Sequence, residues 1–350
     1  MMNKNNSNIS EGYLQYSWGK IYSGACEILF TQSYFMQRSQ RIGLAGASSM
    51  LLLFSLSCVA EDTEKNTDET TLEEGPSAFS GTVDIVHEGL DRAYGLYIPE
   101  GIQSDASLVV VMHGYSSSAQ AIEDYSGFNE LADREGFAVV YPQGTTDDSG
   151  YNFFNVGYGF HEGVTVDDVS FVSALVTGLQ QEYGFSTDNV FATGMSNGGE
   201  MSYVLACDAS DLFAAIAPVA GTMMEDKYNS CQPAKALPVF EIHGTSDSVS
   251  WYNGDLDDVD GWGAYVGIDS IISLWSGFNE LSEVETSEIA DIDPSDGSTI
   301  VFERHYSSDK VNEVWLYKVQ EGDHDWPGAY GNMDIESAEE IWQFFSGYVR

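Results

Sequence analysis

The sequence predicts an α/β fold in which a mostly parallel, doubly wound sheet carries helices on both faces. Short β-branched runs, of which residues 108–114 (LVVVMHG) are the clearest, are typical of strands buried between two helix layers. Segments with helical spacing separate these runs. A Gly-x-Ser-x-Gly turn at residues 194–198 joins one run directly to a helical pattern. Right-handed crossovers connect such elements, so the ligand site is expected at the carboxyl ends of the strands.

The elements follow one another from residue 81 to the end, without an internal repeat or a second domain. Two alternating runs joined by a turn at residues 88–91 predict an edge hairpin, and Asp167 and Asp168 are placed to cap the helix that follows them. Predicted strands are residues 81–87, 93–98, 108–114, 137–142, 190–195, 214–219, 239–243, 299–306 and 313–320. Predicted helices are residues 119–135, 168–183, 268–278 and 335–348, and another begins at residue 197.

The composition is that of a globular protein with a strongly acidic surface. Of 350 residues, 43% are hydrophobic, and 55 acidic against 13 basic residues give a net charge of −42. This charge repels nucleic acid and anionic membrane surfaces, so neither is expected as a partner. It is typical of an exported protein in salty water, as from a marine bacterium, where ions screen the self-repulsion. A solvated acidic face in any medium is the alternative.

The segment before the predicted domain has three parts. Residues 1–35 are rich in Asn, Ser and Tyr and show no period, so no packed structure is expected there. Residues 36–58 combine a basic start with a short apolar stretch, the pattern of a bacterial secretory signal peptide, and Met36 is a candidate for the true start. Residues 59–75 are acidic and Thr-rich, which predicts a disordered linker. The folded domain is expected over residues 76–350.

The signal peptide ends in a pattern that resembles the lipobox of a bacterial lipoprotein. Residues 55–58 read Ser-Leu-Ser-Cys, so Cys58 is the candidate for lipidation and for membrane attachment through that lipid. Cleavage after Ala60 without lipid is the alternative. The protein is therefore expected to be secreted or held at the cell surface or outer membrane.

Ser196 in the Gly-x-Ser-x-Gly turn is the predicted nucleophile. A sharp turn between strand and helix lifts this serine above the sheet edge, and Gly194 and Gly198 let the two elements approach closely. The helix that begins at Asn197 directs free backbone amides and the positive end of its dipole at the position of a developing oxyanion. A turn of small residues that arose by chance is the alternative.

A base and an acid are expected later in the chain, in the order Ser, then Asp or Glu, then His. Of the histidines after Ser196, His243 and His305 lie within predicted strands, which favours structural roles. His324 follows a strand in a loop with Gly and Pro, and we predict that it is the base. Asp247 follows a buried strand at the same edge of the sheet and is the predicted acid, although a surface turn aspartate is the alternative.

The oxyanion hole is predicted from backbone N–H groups of Tyr115 and Asn197. Tyr115 follows the glycine turn at the end of the strand of residues 108–114, and Asn197 follows the nucleophile. Each such donor contributes about a hundredfold or more to the rate of acyl transfer.

These motifs carry a family resemblance over about residues 81–349. They are residues 113–115 (HGY), 167–169 (DDV), 194–199 (GMSNGG), 243–247 (HGTSD) and 324–328 (HDWPG). Together they are similar to secreted α/β-hydrolase esterases of the polyhydroxybutyrate depolymerase and feruloyl esterase type. The resemblance implies the α/β-hydrolase fold and a triad of Ser196, Asp247 and His324. Asp323 and the acidic insertion at residues 254–263 depart from the family pattern beside the site.

The sequence also predicts a disulfide and three aromatic residues that bind substrate. Cys207 and Cys231 are expected to form a disulfide in an exported protein, with two buried free thiols as the alternative. Trp326 is expected to line an acyl or aryl pocket, with Trp251 and Tyr252 next in order. The acidic run at residues 255–258 lacks a Ca²⁺-ligand pattern, so no metal is expected.

The sequence therefore predicts an exported serine esterase that acts through an acyl-enzyme intermediate without cofactor or metal. Its expected substrates are feruloyl or acetyl esters of polysaccharide, and polyhydroxybutyrate is the alternative. A peptidase of the same fold and an inactive carbohydrate-binding relative are weaker alternatives. The acyl group, the alcohol and the oligomeric state stay open.

Overall fold

A computed structural model describes residues 75–350 of the chain. The predicted extension, signal peptide, lipidation at Cys58 and nearly all of the linker lie outside the described residues. Within the described part, no helix has both the length and the apolar character that crossing a bilayer requires.

A ten-stranded sheet forms the centre of the domain, in the order β1-β2-β4-β3-β7-β8-β10-β15-β14-β13. The six strands from β4 to β15 run parallel, and antiparallel pairs flank them on both sides. The strands of this sheet are β1 (Phe79–His87), β2 (Leu90–Ile98), β3 (Leu108–Met112), β4 (Ala138–Pro142), β7 (Val190–Met195), β8 (Ala215–Val219), β10 (Val239–Gly244), β13 (Glu283–Glu288), β14 (Thr299–Tyr306) and β15 (Val314–Gln320). Two-residue strands outside it are β5 (Thr145–Thr146), β6 (Asn152–Phe153), β9 (Met223–Met224), β11 (Gly254–Asp255) and β12 (Tyr265–Val266).

Helices cover both faces of the sheet, as the buried β-branched strands require. They are α1 (Ala119–Ser126), α2 (Phe128–Glu135), α3 (Asp168–Tyr183), α4 (Asn197–Asp208), α5 (Glu225–Ser230), α6 (Ile268–Phe278) and α7 (Ser337–Ser346). Apolar residues of α3, α4 and α6 pack into one core layer, and those of α1, α2 and α7 pack into the other. Neighbouring residues of β3 alternate between the two layers, so this strand is buried on both sides. The predicted α/β-hydrolase fold is confirmed.

The observed elements differ from the predicted ones in two places. The helix expected over residues 119–135 is two helices, because Gly127 adopts φ 81° and ends α1 where α2 begins. The edge strand β13 was not predicted at all. Its sequence, EVETSE, is exposed along its whole length and has no apolar alternation, so only its pairing with β14 identifies it.

The predicted pairing of Cys207 and Cys231 is confirmed: the two residues form a disulfide. Cys207 lies in the last turn of α4, and Cys231 directly follows α5. The bridge therefore fixes the end of the helix that begins at Asn197 to the segment that follows α5, 24 residues further along the chain.

Candidate active site

Ser196 stands at a strained turn between β7 and α4. Its backbone adopts φ 55° and ψ −120°, a conformation that residues with a side chain rarely take. The Ser196 N–H donates to the carbonyl of Val219 at 2.8 Å, which holds the turn against the end of β8. The expected geometry of a serine at a sharp turn between a buried strand and a helix is therefore present, and Ser196 itself is half-buried.

Gly194 and Gly198 are required by close backbone packing at this turn. A Cβ atom at Gly194 would lie 2.5 Å from the Met112 carbonyl oxygen, and one at Gly198 would lie 2.0 Å from the same atom. These distances are far below van der Waals contact and involve backbone, which cannot rotate away. The two glycines thus allow α4 to approach the end of β3, as the sequence predicted.

Asp247 and His324 come together at the carboxyl ends of β10 and β15, which are neighbours in the sheet. His324 Nδ1 lies 2.8 Å from Asp247 Oδ2. The other oxygen, Asp247 Oδ1, accepts the backbone N–H groups of Val249 and Ser250 at 2.8 and 2.7 Å. A carboxylate held in this way fixes the ring so that Nδ1 carries the proton and Nε2 is free to accept one.

Ser196 lies at the same edge of the sheet, two strands from β10. Within residues 75–350, the Ser196 hydroxyl makes no hydrogen bond to His324. Catalytic hydrogen bonds are often long in enzymes without substrate and tighten when it binds. The structure thus brings the acid and base of the predicted triad into contact and places Ser196, the predicted nucleophile, at the same edge of the sheet.

The backbone of the predicted oxyanion loop is held by a buried histidine, His113. The ring is fully buried; Nδ1 donates to the Gly114 carbonyl at 2.8 Å, and Nε2 accepts the Gly144 N–H at 3.0 Å. Burial lowers the pKa of His113 to about 4, so the ring is neutral at neutral pH. This role was not predicted, although the position of His113 directly before Gly114 is a sequence signal for it.

The two predicted oxyanion donors lie close to Ser196. A Cβ atom at Gly114 would be 3.4 Å from Ser196 Cβ, so the following residue, Tyr115, lies close to Ser196. Within the described chain, neither the Tyr115 N–H nor the Asn197 N–H donates to a protein acceptor. Such free donors next to a nucleophile are suited to bind a negatively charged oxygen.

The side chain of Asn197 joins the turn at Ser196 to the loop that contains Phe154. Its carboxamide accepts the Phe154 N–H at 2.7 Å and donates to the Phe154 carbonyl at 3.0 Å. This pairing was not predicted, because Phe154 and Asn197 are far apart in the sequence.

A second histidine, His243, contacts Asp247, the predicted catalytic acid. Its Nε2 donates to the Ser250 carbonyl at 2.8 Å and lies 3.5 Å from Asp247 Oδ2, while Nδ1 pairs with Glu241 at 2.9 Å. The side chains of His243 and Glu241 are both buried. Burial opposes the charged ring, but the Glu241 carboxylate outweighs it and raises the pKa of His243. His243 is structural, as predicted, and it also fixes the loop that carries Asp247.

A buried carboxylate, Glu200, lies in the first turn of α4. It accepts the Tyr158 hydroxyl and, at 2.9 Å, the Thr222 hydroxyl, and burial raises its pKa. The signal for Glu200 was an acidic residue within the apolar and small residues of α4. Glu241 shows the same signal in β10.

The three residues predicted to bind substrate lie at different depths. Trp326 is only 1% exposed, and its ring packs against Tyr125 and Phe128 in the core layer of α1 and α2. Tyr252 is buried against His243, and its hydroxyl donates to Asp269. These two contacts give both residues structural roles in place of the expected pocket-lining ones. Trp251 is partly exposed, and its substrate-binding role stays a prediction.

The two departures from the family pattern have structural roles. Asp323 Oδ1 accepts the N–H and the hydroxyl of Ser248, each at 2.8 Å, and so joins the loop of His324 to the loop of Asp247. In the acidic insertion, Asp255 accepts the Asp260 N–H and Asp258 accepts the Gly263 N–H. Within residues 75–350, no cluster of three or more His, Cys, Asp or Glu side chains has a metal-binding arrangement.

The chain is similar to known esterases in sequence. It is 29% identical over 196 residues to poly(3-hydroxyalkanoate) depolymerase C of Paucimonas lemoignei, covering 53% of this chain and 43% of that protein. It is 30% identical over 165 residues to feruloyl esterase B of Piromyces equi, covering 46% of this chain and 30% of that protein. The chain thus spans less than half the length of either relative.

A solved structure shares the fold. The acetyl xylan esterase from Aspergillus awamori superposes with a TM-score of 0.53 at 16% sequence identity, covering 76% of this chain and 99% of that one. A sequence model described as esterase PHB depolymerase matches residues 92–295, which include Ser196 and Asp247 and end before His324. Because this match covers more than half of the 350 residues, the chain belongs to the esterase PHB depolymerase family.

Proposed function

We propose that this protein hydrolyses carboxylic esters through an acyl-enzyme intermediate on Ser196. The observation that carries the proposal is the 2.8 Å contact between His324 Nδ1 and Asp247, at the sheet edge where Ser196 stands in its strained turn. A histidine oriented by a carboxylate at the same sheet edge as a serine in such a turn is the arrangement of acyl-transfer enzymes.

In the first half of the reaction, Ser196 Oγ attacks the ester carbonyl and its proton passes to His324 Nε2. Asp247 stabilises the imidazolium, and the N–H groups of Tyr115 and Asn197 bind the oxyanion. The tetrahedral intermediate then expels the alcohol, which takes the proton from His324. In the second half, His324 removes a proton from water as the water oxygen attacks the acyl carbonyl. The second tetrahedral intermediate then expels Ser196 Oγ, which takes this proton back from His324, and the carboxylic acid is released.

The proposed substrates are acetyl or feruloyl esters of polysaccharide. The names of a related feruloyl esterase and of the structurally similar acetyl xylan esterase support this class. Polyester hydrolysis is the second candidate, because the Paucimonas lemoignei relative is named as a poly(3-hydroxyalkanoate) depolymerase.

The proposal is tested by hydrolysis of p-nitrophenyl acetate, methyl ferulate and acetylated xylan, and by clearing of polyhydroxybutyrate suspensions. Ser196→Ala and Asp247→Asn are expected to lower kcat by about 10⁴-fold or more, whereas Ser273→Ala, an exposed serine of α6, serves as the control. Hydrolysis that survives Ser196→Ala would exclude this mechanism. Clearing of the polyester without turnover of the sugar esters would select the second candidate.

We further propose that the protein is exported, either secreted or anchored by a lipid on Cys58. The leader pattern supports export, and the disulfide of Cys207 and Cys231 agrees with an oxidising compartment. Mass spectrometry of the mature N-terminus distinguishes the outcomes, since a lipidated Cys58, a free Glu61 after cleavage at Ala60, and an uncleaved leader differ in mass.

A further inference from the structure

We propose that an aromatic platform beside the oxyanion loop binds a neutral sugar ring of the polysaccharide that carries the scissile ester. The platform consists of Tyr115, Tyr151, Phe160 and Trp262. The catalytic use of this site rests on the proposed ester hydrolysis at Ser196, but the binding it predicts does not require turnover.

The four rings form one cluster around Tyr115. Its ring centroid lies 5.6 Å from Tyr151, 5.8 Å from Phe160 and 5.5 Å from Trp262, and Phe160 lies 5.6 Å from Trp262. Tyr151 and Phe160 are each 49% exposed, whereas Tyr115 and Trp262 are half-buried, with part of their surface packed against the core. Large aromatic rings left open together mark a surface built for contact with a ligand, because burying them would otherwise stabilise the fold.

Tyr115, the central residue of the platform, lies close in space to Ser196, the proposed nucleophile. Tyr115 follows Gly114, where a Cβ atom would lie 3.9 Å from Ser196 Oγ. The N–H of Tyr115 belongs to the proposed oxyanion hole, and its ring is the centre of the platform. A molecule bound on these rings therefore lies beside the ester that reacts at Ser196.

Hydrogen bonds hold the platform rigid. Asp147 accepts the Tyr115 hydroxyl at 2.6 Å, the Tyr151 N–H at 2.9 Å and His161 Nε2 at 3.2 Å. Burial acts to raise the pKa of Asp147, but these hydrogen bonds outweigh it and lower the pKa to about 2. The Gly159 N–H donates to the Trp262 carbonyl at 2.8 Å, which joins the acidic insertion to the loop of Phe160. A surface ordered before binding loses little entropy when a ligand docks.

The charge around the platform selects a neutral ligand. Residues 135–226 and 236–303, which carry three of the four rings and the loops around them, contain no Lys or Arg. Asp148, Glu162 and Asp260 are exposed and lie within three positions of a platform ring along the chain. An anionic molecule is repelled by these carboxylates, whereas hydroxyl groups donate hydrogen bonds to them.

A sugar ring matches both properties. Its C–H faces stack on aromatic rings, and its hydroxyls are donors for the surrounding carboxylates. A polyester has ester oxygens in place of hydroxyls, so the carboxylates offer it no hydrogen bonds. An aromatic acyl group is one ring in size and suits an enclosed pocket, whereas several open rings suit a polymer that runs over the surface.

Binding is tested first, with the full chain carrying Ser196→Ala so that no ester is consumed. Hexasaccharides of xylose, mannose and glucose are titrated while tryptophan fluorescence and calorimetry are recorded, with oligogalacturonate as the anionic comparison. At least one neutral hexasaccharide is expected to bind, and Phe160→Ala and Trp262→Ala are expected to weaken it about tenfold or more. Val311→Ala, which removes an exposed apolar side chain elsewhere, is the matched control. Absence of binding by all three neutral sugars, or equal binding of the anionic one, overturns the proposal.

Kinetics then place the sugar relative to the ester. With Ser196 restored, Phe160→Ala and Trp262→Ala are expected to lower kcat/KM for acetylated xylo-oligosaccharide about tenfold, while p-nitrophenyl acetate changes less than about twofold. A loss on methyl ferulate without a loss on the oligosaccharide would make the platform an acyl pocket and refute the proposal. If the unsubstituted protein hydrolyses no ester while sugar binding depends on the rings, the proposed function fails and the sugar site stands.

Discussion

Protonation of His113 is expected to destabilise the fold at mildly acidic pH. The ring is fully buried, and its Nε2 faces the Gly144 N–H and the Gln143 amide, both of which are donors. A proton on Nε2 would remove both hydrogen bonds and place a charge in the core. Burial accordingly lowers the pKa of His113 from its ordinary 6.5 to about 4.

The size of the effect follows from this shift. One pKa unit corresponds to about 1.4 kcal/mol, so the shift of His113 is worth about 3 kcal/mol of folding free energy. Above 6.5 the ring is neutral in both the folded and the unfolded chain, and the full contribution is present. As the pH falls toward about 4 the unfolded chain binds a proton that the folded protein excludes, so the free energy of unfolding decreases.

The assay is a comparison with His113→Asn, because many carboxylates also titrate in this range. Free energies of unfolding are measured by denaturant titration of both proteins, with the disulfide intact, at about pH 7, 5.5 and 4. The advantage of the original protein over the variant is expected to shrink by about 3 kcal/mol across this range. A difference between the two proteins that stays constant with pH would refute this account of His113.

Three further substitutions test the site and the fold. His243→Gln is expected to lower kcat for p-nitrophenyl acetate about tenfold or more and to shift its pH profile, with little change in KM, because the loop of Asp247 loses its support; an unchanged kcat and profile would refute this role. Replacing Cys207 and Cys231 together by Ser is expected to lower the free energy of unfolding by about 3 kcal/mol for a sequence separation of 24, measured by denaturant titration; equal stability would contradict it. Gly198→Ala is expected to cost about 2 kcal/mol or more and about a hundredfold in kcat, since its Cβ would meet the Met112 carbonyl at 2.0 Å. Gly178→Ala is the control for the glycine change, because a Cβ atom added there would meet no atom within 4 Å apart from the adjoining backbone of its own helix.

The parallel core of the fold was predictable because each buried strand has a strong local signal. Residues of β3 form a continuous apolar run, and β7 and β10 are short, fully buried strands that each begin with two apolar residues. The helix Ile268–Phe278 was predicted with its observed bounds. The strand β13 was not predictable, because an exposed edge strand needs no apolar pattern and is defined by its partner alone. The split at Gly127 was missed because a single glycine inside a helical pattern is compatible with one helix or two.

The candidate site divides in the same way. Ser196, Asp247 and His324 follow buried strands, so the order of the chain and the direction of the strands place them at one edge. The supporting contacts of His113, Glu200 and His243 depend on which loops meet in space, which spacing along the chain does not encode. For Trp326, the sequence was misleading. Its position near His324 implied a side chain that lines a substrate pocket, whereas its ring packs in the core.

The central claim is that Ser196 carries the acyl group during turnover. Intact-protein and peptide mass spectrometry after rapid acid quench of a reaction with p-nitrophenyl acetate tests it directly, with Ser196→Ala and His324→Gln in parallel. An adduct with the mass of one acetyl group on the peptide that contains Ser196 is expected, absent from Ser196→Ala and much reduced in His324→Gln. Turnover with the acetyl group on another residue, or turnover retained by Ser196→Ala, would contradict the account.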